Sequence, residues 1–126
     1  MYLFDTNIFL EILLSQEKAP TCKKVLSDNI GHISISDFTL HSIGVILFRQ
    51  KKEKIFNSFV SDVLPKINIV SLASESYGIL SEFKTKHNLD FDDSYQCKVA
   101  EEKNLTIITM DKDFAQVKEK IKIKFI

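Results

Sequence analysis

Five short apolar segments recur along this chain, each separated from the next by stretches with helical spacing, and that alternation admits few folds. Tyr2 to Phe4, His32 to Ile35, Ile67 to Val70, Leu105 to Thr109 and Ile121 to Ile126 read as strands. Helical patterns cover Asn7 to about Leu14, Pro20 to Ser27, Ser36 or Asp37 through Phe48, Ile55 to Leu64, Ala73 to Lys86 and Asp90 to Lys103. Asp5 or Thr6 can cap the first helix, Pro20 suits a first turn, Asn29 to Gly31 end the second helix, and Pro65 stops the fourth. Phe38, Leu40, Ile43, Val45, Ile46 and Leu47 give the third helix a broad apolar face, which predicts that it is well buried. Strands joined through helices form parallel ladders, so the pattern predicts an α/β fold with one parallel sheet and helices on both faces.

A length of 126 residues suits one domain, here residues 1–126, and leaves no room for a second core. Seventeen basic and 17 acidic residues cancel, so global charge points neither to nucleic acid nor away from it. A basic rim around an acidic centre would average out in the same way. Cys22 and Cys97 lack metal-ligand spacing and are expected as free thiols. No apolar run reaches the roughly 20 residues a membrane span needs, and no basic-then-apolar leader precedes the first strand. A cytoplasmic protein is therefore expected, with no membrane association.

The aspartates fall where chemistry would need them. Asp5 ends the first strand and Asp111 follows the fourth, and in a parallel sheet the carboxyl ends of the strands form the functional edge. Asp93 lies in the first turn of a helix, with the small residues Cys97 and Ala100 on its face, so it points toward the sheet. Asp90 can share that face, whereas Asp92 is expected to turn to solvent and Asp113 to serve a turn. Crowded carboxylates repel unless protons or a cation reduce their charge, and an all-oxygen site selects Mg²⁺ or Mn²⁺ over zinc. The competing reading is structural: Asp5, Asp37 and Asp90 are each good helix caps. Capping does not explain why acids recur after both the first and the fourth strand.

Asp5-Thr6-Asn7 after an opening strand, Asp93-Ser94 leading a helix, and Thr109-Met110-Asp111-Lys112-Asp113-Phe114 after an Ile-Ile strand together resemble the PIN domain family, small metal-dependent nucleases that include VapC-like toxins. The resemblance covers essentially the whole chain. It implies a three-layer α/β/α sandwich with a five-stranded parallel sheet of order 3-2-1-4-5. It also implies acidic ligands at Asp5, Asp93 and Asp111, ligand-orienting hydrogen bonds from Thr6, Asn7 and Thr109, and cleavage of RNA that depends on Mg²⁺ or Mn²⁺. A homodimer and a small antitoxin protein are the partners it implies.

The family usually carries a glutamate in the helix after the second strand, where this chain reads Ser36-Asp37-Phe38-Thr39-Leu40-His41-Ser42. His41 and Ser42 are the positions that can align with it, and neither is a carboxylate. Asp37 can substitute as a ligand with His41 beside it, or it can cap the helix while His41 makes an ordinary hydrogen bond. A PIN domain that binds RNA or protein without cleaving is the alternative this departure raises. The basic stretches Arg49 to Lys54 and Lys118 to Lys124 read as solvated faces that can also touch phosphates. The third strand ends in Val70-Ser71 with no acid, which argues against a phosphoacceptor domain, and no Gly-x-Ser-x-Gly elbow marks a serine hydrolase.

Overall fold

Alternation within the two central strands decides the layering. In the computed structural model, which describes residues 1–126, strand β1 (Tyr2–Phe4) runs parallel to β4 (Thr106–Thr109), pairing Leu3 with Ile107 and Phe4 with Ile108. Successive side chains on a strand point to opposite faces, so Leu3 and Ile107 enter one core and Phe4 and Ile108 the other. All four are fully buried or nearly so. A strand apolar on both sides needs cover on both sides.

That cover comes from the intervening helices. On one face lie α1 (Thr6–Leu13), α2 (Ala19–Asp28), α3 (Asp37–Arg49) and α4 (Glu53–Asp62), which supply Ile8, Phe9, Cys22, Ile43, Leu47 and Phe59 to the Phe4 core. The Leu3 core is closed by α5 (Leu80–His87) and α6 (Phe91–Lys103) through Leu80, Phe83, Val99 and Ala100. With β2 (Ile33–Ser36), β3 (Asn68–Val70) and β5 (Ile123–Phe125), the five strands stand in the order β3-β2-β1-β4-β5, every ladder parallel. This is the expected sandwich and strand order. No helix is long and apolar enough to cross a membrane.

Local chemistry sets the element ends. Pro20 sits in the first turn of α2 and Gly31, at φ +94°, takes the left-handed conformation before β2. Asn88 and Asn104 adopt the same region at φ 54° and end α5 and α6. Two expectations are corrected. The single helix predicted from Ala73 to Lys86 divides into a 3₁₀ segment, Ser74–Ile79, and α5, because Ser74, Ser76 and Gly78 are weak helix formers. The third helix is not buried along its length: only Thr39, Ile43 and Leu47 lie inside, at i, i+4 and i+8, while Val45 and Phe48 are about half exposed.

Candidate metal centre

Reversal of strand order at the centre of the sheet leaves a crevice beyond the carboxyl ends of β1 and β4. Asp5 occupies the first of these ends and is buried. Its Oδ1 accepts the Thr6 amide at 2.8 Å, capping α1, and its Oδ2 accepts the Thr109 hydroxyl at 2.7 Å. The capping side chain also lines the cleft, so its role at the helix start does not remove Asp5 from that edge. Thr109, at the end of β4, also accepts the Asp111 amide on its hydroxyl oxygen at 2.9 Å. Asp111 in turn accepts the Asp113 amide at 2.9 Å, the turn that opens a 3₁₀ segment, Lys112–Val117. The turn expected at Asp113 is the start of this element.

From the other side, the first turn of α6 brings Asp93 forward. Carboxylate oxygens of Asp93, Asp111 and Asp113 lie within 4.8 Å of one another. The surrounding cleft, about 260 Å³, is lined by six aspartates: Asp5, Asp90, Asp92, Asp93, Asp111 and Asp113. Thr6, Asn7, Ser42 and Gln96 supply most of its other polar lining. The ion pairs of this protein join Lys24 to Asp28, and Lys98 and Lys120 to Glu101; none reaches the cleft.

Unneutralised charge has a measurable consequence. Burial, reinforced by Asp111, Asp5, Asp92 and Asp90, pushes the Asp93 carboxyl up to about 7. Burial also raises Asp5, against the opposing hydrogen bonds from Thr109 and Thr6. Both acids therefore hold protons more tightly than free aspartate does. A hard divalent cation is the other way to relieve such a cluster, and a donor set made only of oxygens fits one.

Beneath the acids a hydroxyl knot ties three helices together. Thr39 Oγ1 on α3 accepts Gln96 Nε2 from α6 at 2.8 Å, lies 2.9 Å from the Thr6 hydroxyl of α1 and receives the Ser36 hydroxyl at 3.3 Å. Ser36 is the α3 cap, accepting the Thr39 amide at 3.0 Å.

The structure sorts the residues singled out from sequence. Asp5, Asp90, Asp93, Asp111, Thr6 and Asn7 line one cleft, with Thr109 beneath it. Asp37 and His41 do not join them; they line a neighbouring pocket, where Asp37 accepts the Tyr95 hydroxyl at 2.5 Å and the Phe38 amide at 2.9 Å. Ser42, one residue further along α3, does face the acids. Asp92 is solvent-exposed, as expected, yet also lines the cleft, and Asp113, in its turn, belongs to the closest acidic trio. Gln96 escaped notice in the sequence, although an amide at i+3 from Asp93 on an otherwise buried helical face was its signal.

Known proteins share this architecture. No curated protein matches the chain. A toxin–antitoxin complex from Klebsiella pneumoniae contains a chain 24% identical, with a TM-score of 0.73 and 91% of each chain covered. FitAcB from Neisseria gonorrhoeae aligns over 100% of this chain and 97% of its own, at 19% identity and a TM-score of 0.75. VapC20 of Mycobacterium tuberculosis, described as a toxin that cleaves the sarcin-ricin loop, reaches a TM-score of 0.78 at 15% identity, covering 91% of this chain and 93% of its own. At such identities these likenesses speak for the fold. The PIN domain family model matches residues 2–120, nearly the full length, and this chain belongs to the PIN domain family.

Proposed function

We propose that this protein is a divalent-metal-dependent endoribonuclease, the toxin of a toxin–antitoxin pair, acting on RNA in the cytoplasm. The observation that carries the reading is the cleft of six aspartates without a basic counter-charge, built at the one sheet edge where the strand order reverses. Asp5, Asp93 and Asp111, with Asp113 beside them, are the residues to hold Mg²⁺ or Mn²⁺. A bound ion there supplies polarisation of a phosphodiester and a lowered pKa for the attacking water.

The chain's own part is positioning. Thr109 and Thr6 clamp both oxygens of Asp5, so that its carboxylate presents one fixed orientation to the cleft. Asn7, exposed at the rim, can donate to a phosphate oxygen without adding charge. Asp90 and Asp92 add negative potential that favours a cation and requires the RNA backbone to approach with counter-ions between. An antitoxin partner is supported by the toxin–antitoxin complexes among the structural neighbours, and a homodimer by the half-exposed Val45 and Phe48 of α3.

Ser42 motivates a second reading. It stands in the cleft at one of the two positions that can align with the family's glutamate, so the acid set is smaller there, and a domain that binds without cleaving would have the same fold. The deciding experiment is cleavage of a panel of tRNA and single-stranded RNA with Mg²⁺, Mn²⁺ or EDTA, with Asp93→Asn purified in parallel. Ion-dependent cleavage lost in the variant supports the nuclease. Equal residual cleavage by both proteins marks contamination, and absence of cleavage by folded, metal-loaded protein favours the binding-only domain.

A further inference from the structure

Beside the acidic cleft lies a second pocket of about 160 Å³, lined by Asp37, Phe38, His41, Tyr77, Phe91 and Tyr95. The two are contiguous: Phe38 lines both, and Phe91 stands in sequence between Asp90 and Asp92, which line the cleft. Phe91 is 51% exposed and Tyr77 is 45% exposed, so aromatic surface here faces solvent. The rings already pack on one another, Phe91 nearly parallel to Tyr95 at 22° and 6.2 Å between centroids, and Phe38 edge-on to Phe91 at 6.5 Å.

Among these rings sits one carboxylate with spare capacity. Asp37 Oδ1 accepts both the Tyr95 hydroxyl and the Phe38 amide, whereas Oδ2 has no partner within the protein. Tyr95 is itself fixed, because its hydroxyl oxygen accepts the buried Leu72 amide at 3.1 Å. The Asp37 carboxylate is thus held in place with one oxygen free to accept. An apolar helix from another copy would cover the rings and leave Oδ2 unpaired, at a desolvation cost. A flat ring with N–H donors on its edge satisfies the rings and the oxygen together.

We infer that this pocket seats a nucleobase of the single-stranded RNA strand, guanine in preference to uracil, next to the phosphodiester held over the acidic cleft. The inference rests on the ribonuclease reading for the identity of the strand. Guanine presents two adjacent donors, N1–H and the N2 amino group, that can converge on Oδ2. Uracil has a single N3–H flanked by two carbonyl oxygens that a carboxylate repels. Phe91 and Tyr77 supply the stacking surface, a sequence-tolerant contribution to which Asp37 adds the discrimination.

The test separates the pocket from catalysis. In EDTA, GMP and UMP are titrated into the wild type, Phe91→Ala and Asp37→Asn, with binding followed through backbone amide resonances. The expected result is a set of GMP-induced shifts centred on Asp37, Phe38, Phe91 and Tyr95, with weaker binding of UMP. Phe91→Ala should weaken both nucleotides about tenfold. Asp37→Asn, which keeps an acceptor for Tyr95, should erase the preference for GMP. With RNA and metal, Phe91→Ala should raise KM far more than it changes kcat. Shifts that map elsewhere, or variants that bind GMP as the wild type does, overturn the pocket. So does a Phe91→Ala variant that loses only self-association. Cleavage with an unaltered KM in Phe91→Ala removes the pocket and leaves the ribonuclease reading standing. GMP binding by a wild type that cleaves no RNA retains the pocket and removes that reading.

Discussion

Thr109 donates its hydroxyl to Asp5 Oδ2 at 2.7 Å while accepting the Asp111 amide on the same oxygen at 2.9 Å, so one buried side chain sets the position of two acids from opposite ends of the chain. Replacing it with valine keeps the shape and removes both bonds. Thr109→Val should weaken Mn²⁺ binding about tenfold or more, in line with the loss of a ligand-orienting partner. Calorimetric titration with Mn²⁺ measures this, and an unchanged affinity would show that Asp5 needs no clamp.

Asp93 provides a pH dependence with a definite sign. Its carboxyl sits at about 7 in the folded protein against 3.8 as its ordinary value, so between those values the folded state holds a proton that the unfolded chain releases. The contribution to stability is complete below pH ~4 and is lost as pH rises through ~7. Urea denaturation in EDTA should therefore show the wild type gaining stability between pH 8 and pH 5. Asp93→Asn should be more stable than the wild type at pH 8 and have a flatter profile. An Asp93→Asn protein destabilised at pH 8 would show that the carboxylate serves the fold rather than straining it.

Ser42 faces the acidic cleft from α3. Ser42→Glu adds a seventh carboxylate to the six already there, which raises repulsion in the metal-free state and adds an oxygen ligand in the loaded one. The expected outcome is a lower melting temperature in EDTA, a larger upward shift on adding Mg²⁺, and faster RNA cleavage. A melting curve insensitive to Mg²⁺ in both proteins would count against the metal centre.

Tyr95 joins α6 to α3 and to the loop after β3, donating to Asp37 and accepting the Leu72 amide. Burial first, and then the Asp37 carboxylate it serves, hold its phenol above the ordinary value, so it remains a donor at any pH of interest. Tyr95→Phe leaves a buried amide without its acceptor and should cost about 1–3 kcal/mol of unfolding free energy. Urea midpoints at unchanged m-value would report it, and a loss below a few tenths would mean that water replaces the hydroxyl.

Much of this was readable from residue order because the determinants are local or periodic. Leu3-Phe4 and Ile107-Ile108 announce strands buried on both sides, and acids after β1 and β4 fall at the edge such a sheet exposes. What stayed hidden depends on rotation about a helix axis and on neighbours distant in sequence. Asp37 and Ser42 are about a turn and a half apart on α3, close enough that either looked able to face the acids, yet only Ser42 does. The Tyr95 hydroxyl, 58 residues away in sequence, engages Asp37 on the other side. Asp92 and Asp113 are exposed and Asp113 serves a turn, as their immediate context implies, but the approach of α6 to the β4 loop, which that context does not show, also brings both to the cleft.

The central position of β1 has a consequence for how the protein comes into being. Within this sequence β1 precedes the other strands, yet one of its two flanks is β4, the fourth of the five, and Asp5 gains its Thr109 clamp only when that strand slots in. A nascent chain that ends at Lys103 already carries Asp5 and Asp93 but has neither Thr109 nor Asp111. The acidic edge is therefore a property of the closed sheet and of no single segment: formation of the cleft and docking of β4 beside β1 are one event.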